Sequence, residues 1–264
     1  MKQEPEHLDK FRQVNKLFFE KAEKAFAELF KLAKAKNELH FALSLTPEFR
    51  GVQGPGWNTA DETHRAFEDY LNFINKNPDS PFKARVGLAF YCHMAEASGF
   101  YEIPKNLMRV AEGNRYNLWP FRSLNKKHKT TGEIIAPNAN RVLQDLAGHA
   151  KELGLTDLAE IFRDAFDSDL RNGYAHADYV IWNDGVRLPK RNGGTPQIVS
   201  WPEFSACFDR GINFFNLLRE IVNEQKNYYN PAKEIVGQLA EEPKRTWVIE
   251  ADPAKGIFSI SSKP

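Results

Sequence analysis

The segment LRNGYAHADY, residues 170–179, places three polar side chains of catalytic type at the end of an apolar helix pattern. Imidazole titrates near neutral pH, so His176 could take a proton from a hydroxyl group or give one to a leaving oxygen. Arg171 is permanently charged and could hold a phosphate through two N–H donors. Asn172 could hold the imidazole ring or a phosphate oxygen. Residues of these types could serve as an acid, a base and an anion-binding group, and such a set requires no metal.

The spacing of Arg171 and His176 requires a break in the helix if the two are to share a pocket. Residues five apart in an unbroken helix point about 140° away from each other. The pair Asn172-Gly173 tolerates positive φ and is typical of helix ends. We therefore expect Gly173 to break the helix and to bring Arg171 and His176 together.

A structural interpretation of the same residues is also open. His176 could be a helix-terminal histidine stabilised by the helix dipole, and Arg171 could pair with Asp167 or Asp169. Tyr174 could stack on a base, as aromatic side chains do on single-stranded RNA, or it could belong to the core.

Two basic stretches are candidates for binding the phosphate backbone. Lys126 and Lys127 belong to a basic run within residues 113–137, which we expect to form an exposed insertion. Lys190 and Arg191 lie in a loop close in sequence to His176. Each pair could guide a phosphate backbone or form a solvated loop.

The elements that must position these residues are mainly helical. Apolar residues recur every three or four positions through residues 6–36, which predicts one long amphipathic helix, and residues 44–58 are predicted to form a loop. Further helices are predicted at about 59–77, opened by a Thr59–Glu62 capping box, at 81–98 and at 138–153.

The helix that leads into the motif is predicted to have Thr156 as its N-cap. Its apolar residues are spaced by four and form one stripe that runs directly into Arg171; they are Leu158, Phe162, Phe166 and Leu170. A small β appendage is then predicted over 178–201, followed by a Ser200–Glu203 capping box and a long helix to about residue 229. The tail is predicted to form a hairpin, which could pair with the strands after Val180.

Composition restricts the class of protein. Hydrophobic residues make up 42% of the 264 residues, which is a globular composition. The 36 Lys and Arg nearly balance the 35 Asp and Glu, so any nucleic-acid surface must be a local patch. Cys92 and Cys207 are the only cysteines and have no neighbour at metal-ligand spacing. With no signal peptide and no long apolar run, we expect a cytoplasmic protein that is not in a membrane.

Arg171, Asn172 and His176, followed by a short hairpin and a long closing helix, resemble the HEPN superfamily (higher eukaryote and prokaryote nucleotide-binding domains). The signature of that family is an arginine, often followed by asparagine, with a histidine four to six residues further on. The resemblance covers residues 140–228 and, more broadly, 59–228. Gly173 is a departure, since helix formers are common at this place in the family.

The resemblance implies a fold and a function. The fold class is a mainly α, HEPN-like bundle over residues 59–230 with the β insertion at 178–201, between an N-terminal helix and loop (1–58) and a C-terminal tail with a hairpin (231–264). Active members of the family dimerise so that two motifs face each other, giving an endoribonuclease that needs no metal or other cofactor. The implied partners are RNA or nucleotide, a second copy of the chain, and a neutralising or regulatory protein.

Members of the family are often toxins or defence effectors in bacteria. Others only bind nucleotide or a partner protein. The resemblance therefore leaves two hypotheses, an active RNase and a non-catalytic dimeric module.

Overall fold

The protein is described by a computed structural model that covers residues 4–46, 59–191 and 193–263. It is mainly helical, with three small antiparallel sheets. The helices are α1 (Glu4–Lys36), α2 (Glu38–Ser44), α3 (Thr59–Lys76), α4 (Pro81–Ala95), α5 (Ser98–Ala111), α6 (Ala139–Glu152), α7 (Thr156–Asp164), α8 (Ser168–Ala175) and α9 (Trp201–Asn227). None of these helices combines the length and the apolar character needed to cross a membrane.

The three sheets each follow chain order. The first pairs β1 (Lys126–Lys127) with β2 (Ile134–Ile135), the second contains β3 (Val180–Trp182), β4 (Gly185–Leu188) and β5 (Gln197–Ser200), and the third contains β6 (Lys233–Gly237), β7 (Arg245–Asp252) and β8 (Ile257–Ser262). The C-terminal hairpin is thus confirmed, with an additional strand. In the described ranges it forms its own sheet, so the expected pairing with the strands after Val180 is wrong.

Helix α1 is part of the main core. It packs against α5, α7 and α9, and its buried face includes Phe18, Phe26 and Leu29. The predicted apolar stripe included Phe18 and Leu29, which are buried, but not Phe26. It also included Val14 and Leu32, each of which is 45% exposed. Helix α1 therefore contributes to the same core as the helices that follow it.

Phe214 of α9 contacts aromatic rings from other parts of the core. Its ring centroid lies 6.0 Å from that of Phe26 in α1, 6.4 Å from that of Phe162 in α7 and 5.9 Å from that of Phe166. Aromatic pairs at such separations add to the stabilisation that their buried area provides. The closing helix is therefore fixed against both the first helix and the segment that leads to the motif.

Several predicted elements are confirmed and others are corrected. Helix α6 begins where it was expected, with Asn138 as its N-cap residue, and the Ser200–Glu203 capping box opens α9. The predicted loop at 44–58 and the hydroxyl of Thr59 lie largely outside the described residues. Helices α2 and α5 were not predicted. Thr156 is the first residue of α7 and not its N-cap, and the single helix expected from Thr156 to Arg171 is two helices, because Asp167 starts a new one.

Candidate functional site

Helix α8 begins at a strong N-terminal cap. The Asp167 carboxylate accepts hydrogen bonds from the backbone N–H groups of Asp169 (2.9 Å) and Leu170 (2.8 Å), which satisfies donors that the first turn leaves free. Helix α8 also contacts α4, where the Cys92 thiol donates to the Arg171 carbonyl oxygen with a sulfur-to-oxygen distance of 3.6 Å. Burial raises the pKa of Cys92 to about 12, so this group is a thiol and not a nucleophile at neutral pH.

Helix α8 ends after the motif and not within it. The N–H of Asp178 donates to the Gly173 carbonyl (2.7 Å) and that of Ala177 to the Tyr174 carbonyl (3.0 Å), with Ala177 at φ 51°. This is the Schellman arrangement that closes helices, with His176 as the C-terminal cap residue. The expectation that Gly173 breaks the helix is therefore wrong.

Gly173 has a packing role instead. A Cβ built on Gly173 would lie 2.6 Å from Leu188 Cδ2 and 3.3 Å from the Asp178 carbonyl oxygen. Glycine is therefore needed because strand β4 crosses α8 at close range, and not because the backbone adopts positive φ.

Arg171 is buried and ion-paired within the chain. Its side chain is 5% exposed and its Nη1 contacts the Glu96 carboxylate at the end of α4, while its Nη2 donates to Asn172 Oδ1 at 2.6 Å. The prediction that Arg171 pairs with an acidic side chain is right, but the partner is Glu96 and not Asp167 or Asp169. Within one chain, therefore, the Arg171 side chain binds both the side chain of Asn172 and Glu96 at the end of α4.

His176 is exposed at the C-terminal end of α8. Its ring forms no hydrogen bond with the other described residues, although its charge acts on Asp178. The backbone N–H of Arg191 holds the pKa of Asp178 below its usual value, and the Arg191 guanidinium and His176 act in the same direction. Because α8 is continuous from Arg171 to Ala175, the buried Arg171 and the exposed His176 do not share an open pocket within one chain.

Tyr174 is partly buried against the core, with its ring centroid 5.7 Å from that of Tyr179. Burial raises its pKa. The core interpretation describes this residue better than base stacking.

Lys190 and Arg191 lie beside the motif helix but are paired with acids. Lys190 Nζ is 2.8 Å from Asp169 Oδ2 in the first turn of α8, and Arg191 Nε is 2.8 Å from Asp178 Oδ1 just past its end. These pairs fix the loop after β4 along α8. They also neutralise the positive charge that was expected to attract phosphate.

Lys126 and Lys127 form strand β1 in a sheet separate from the one that follows α8, and both are exposed. Within the described residues, no group of three or more His, Cys, Asp or Glu side chains could hold a metal ion.

Glu96 contacts the candidate site but was not predicted from the sequence as part of it. Its carboxylate contacts Arg171 and also accepts a hydrogen bond from the Ala139 N–H at the start of α6 (3.0 Å). The available signal was weak: Glu96 is the only acidic residue between Asp79 and Glu102. An isolated acid at the end of an apolar helix is a candidate partner for a buried cation elsewhere.

Comparison of the chain with protein-family models, with curated proteins and with solved structures gave no match.

Proposed function

We propose that this chain is a metal-independent endoribonuclease of the HEPN type in which His176 transfers the proton. The observation that carries the proposal is the position of His176, exposed at the end of a helix whose C-terminus is closed by fixed hydrogen bonds. An imidazole at this position is accessible to RNA, and imidazole is the side chain most often used for general acid–base catalysis.

The order of the elements supports the HEPN assignment. The motif helix α8 is followed by the small sheet β3–β5 and then by the long helix α9, which is the order that the family resemblance implies. The bundle also places α8 between α4 and β4, so that His176 is on the outside.

The chemistry needs two proton-transfer groups, and the family arrangement supplies them from two copies of the chain. One His176 takes the proton of the 2′-hydroxyl as the 2′-oxygen bonds to phosphorus. The other gives a proton to the 5′-oxygen as the P–O5′ bond breaks. The products are a 2′,3′-cyclic phosphate and a 5′-hydroxyl. In this proposal Arg171 is a positioning residue that holds α8 through Glu96, and it does not bind the phosphate.

A non-catalytic dimeric module that binds nucleotide or a partner protein is the second candidate. The observation in its favour is the Arg171–Glu96 ion pair, because it occupies within one chain the guanidinium that the family uses toward RNA.

The test is cleavage of a mixed RNA pool in excess EDTA, with end-group analysis of the products. We expect the wild type to leave 2′,3′-cyclic phosphates and His176→Gln to lose on the order of 100-fold or more in rate. His64→Gln is a matched control, since His64 is an exposed histidine on α3, and its rate should be unchanged. Mixed dimers of wild type and His176→Gln should be inactive if both histidines are required.

The result that favours the binding module is a folded, dimeric wild type that cleaves nothing. Equal loss of activity in His176→Gln and His64→Gln would also contradict the proposed role of His176.

A further inference from the structure

The basic hairpin, residues 122–135, is an exposed surface whose charge is suited to a polyanion. Residues 113–137 contain five Lys and Arg but one acid, Glu133, although the charge of the whole chain is nearly balanced. The four cations of the hairpin form no ion pair with another described residue; they are Arg122, Lys126, Lys127 and Lys129. The cations beside α8 are paired with carboxylates, whereas these four are exposed and have no such partner among the described residues.

A cavity of about 520 Å³ opens beside the basic hairpin. Its described lining combines the half-exposed ring of Trp119, the buried ring of Phe121 and the polar side chains of Arg122, Asn125 and Glu102. The volume is in the range of small-molecule sites, and an apolar wall with a few polar groups is their usual composition.

We propose that this cavity and the basic hairpin bind single-stranded RNA, with one unstacked base in the cavity beside Trp119 and the adjoining phosphates on Lys126 and Lys127. An aromatic side chain next to unpaired cations is the combination that binds single strands, because bases stack on the ring while the cations follow the backbone. A duplex hides its base faces and so cannot use the cavity.

The cavity lies close in sequence to the residues that hold helix α8 in place through Glu96. Ala136 and Pro137 line one wall and Ser98 lines another. The Ala139 N–H, two residues after Pro137, donates to Glu96, which lies two residues before Ser98 and pairs with Arg171. The binding site rests on the proposed function only in that the bound strand is the one presented to His176.

The experiment measures binding separately from cleavage. Fluorescence anisotropy is recorded with a labelled, 2′-O-methylated single strand about 12 nucleotides long, which has no 2′-hydroxyl to react. We expect Trp119→Ala to weaken binding about tenfold and Trp119→Phe to retain it. In Lys126→Ala/Lys127→Ala, the slope of log Kobs against log salt should fall by about 1.4, since each phosphate contact on a single strand contributes about 0.7.

Matched controls separate this site from general charge effects. Lys24→Ala/Lys31→Ala removes two exposed lysines from α1 and should leave affinity and slope unchanged. Duplex RNA and heparin should bind more weakly than the single strand. Equal affinity for all three polyanions, or no effect of Trp119→Ala, would overturn the base site.

Three further outcomes are distinct. If the hairpin variants lose binding to phosphatidylserine vesicles but not to the single strand, the RNA site is wrong and the surface is a membrane contact. If the single strand binds as expected but unmodified RNA is not cleaved, the RNA site stands and the proposed RNase fails. If cleavage depends on His176 while affinity is insensitive to the hairpin variants, the proposed RNase stands and the RNA site at the hairpin fails.

Discussion

The guanidinium of Arg171 is ion-paired with the carboxylate of Glu96, and this contact joins α8 to the end of α4. The Arg171 side chain is 5% exposed whereas that of Glu96 is 45% exposed, so the pair reaches from the interior to the surface. Glu96 also accepts from the Ala139 N–H. One carboxylate therefore connects three helices, and a variant of Arg171 must be tested for stability before a loss of activity is assigned to catalysis.

Glu96→Gln is expected to lower the free energy of unfolding by about 2 kcal/mol, because it leaves a buried charged donor without its full partner. Urea denaturation followed by circular dichroism measures this. In the double variant with Arg171→Met, the loss should be less than the sum of the single losses by about 1–3 kcal/mol. Glu28→Gln on the exposed side of α1 is the control; additive effects of the Glu96 and Arg171 changes would contradict the coupling.

Gly173→Ala is expected to destabilise the protein by about 1–3 kcal/mol, because the added methyl meets Leu188 at 2.6 Å and overpacks the contact with β4. Gly148→Ala in α6 is the matched control. Its Cβ would meet nothing within 4 Å, so this change should stabilise by about 1 kcal/mol through helix propensity. Thermal and urea unfolding of both variants test the contrast. Stabilisation by both changes would mean that the close approach of β4 is absent.

Ala177→Gly is expected to stabilise the protein by about 1 kcal/mol. Ala177 adopts φ 51° at the end of α8, a conformation that costs a residue with a Cβ about 1–2 kcal/mol and glycine much less. Equilibrium unfolding measures the change. A loss of stability in Ala177→Gly would argue against the Schellman closure, and with it against the fixed position of His176.

Acid is expected to destabilise the fold through His40. His40 is buried, its Nδ1 accepts from the Tyr116 N–H at 3.0 Å, and its Nε2 donates to the Gln238 carbonyl at 3.1 Å. Protonation of Nδ1 would lose the Tyr116 bond, and burial lowers the pKa of His40.

In the unfolded chain, His40 therefore takes up a proton near the ordinary histidine pKa of about 6.5, whereas in the folded chain it does not. The free energy of unfolding consequently falls as the pH falls through and below about 6.5. Burial lowers the pKa values of His93 and His149 as well. His40→Gln should be less stable at neutral pH but less sensitive to acid, as measured by urea midpoints across this range. An unchanged pH slope in that variant would remove His40 from the explanation.

Sequence periodicity and capping residues were sufficient for much of the helical architecture. The long first helix, the helix after Pro81, the start of a helix at Asn138 and the Ser200–Glu203 capping box depend on local contacts within a few residues, and such contacts are readable from the chain. Helix α5 was missed because Gly99 and Pro104 interrupt its sequence pattern. In the folded protein, burial of residues such as Tyr101 and Leu107 outweighs that local cost.

The sequence by itself determined that Arg171, Asn172 and His176 stand near the end of a helix and are of the types that act on phosphodiesters. Only the tertiary structure decided where their side chains go. Glu96 lies 75 positions from Arg171. Leu188, in strand β4, packs so closely against α8 that residue 173 must be a glycine. Partners so distant in sequence leave no periodic signal, because the contact exists only when the helices and strands are packed together. That packing places the arginine inside the protein and the histidine at its surface.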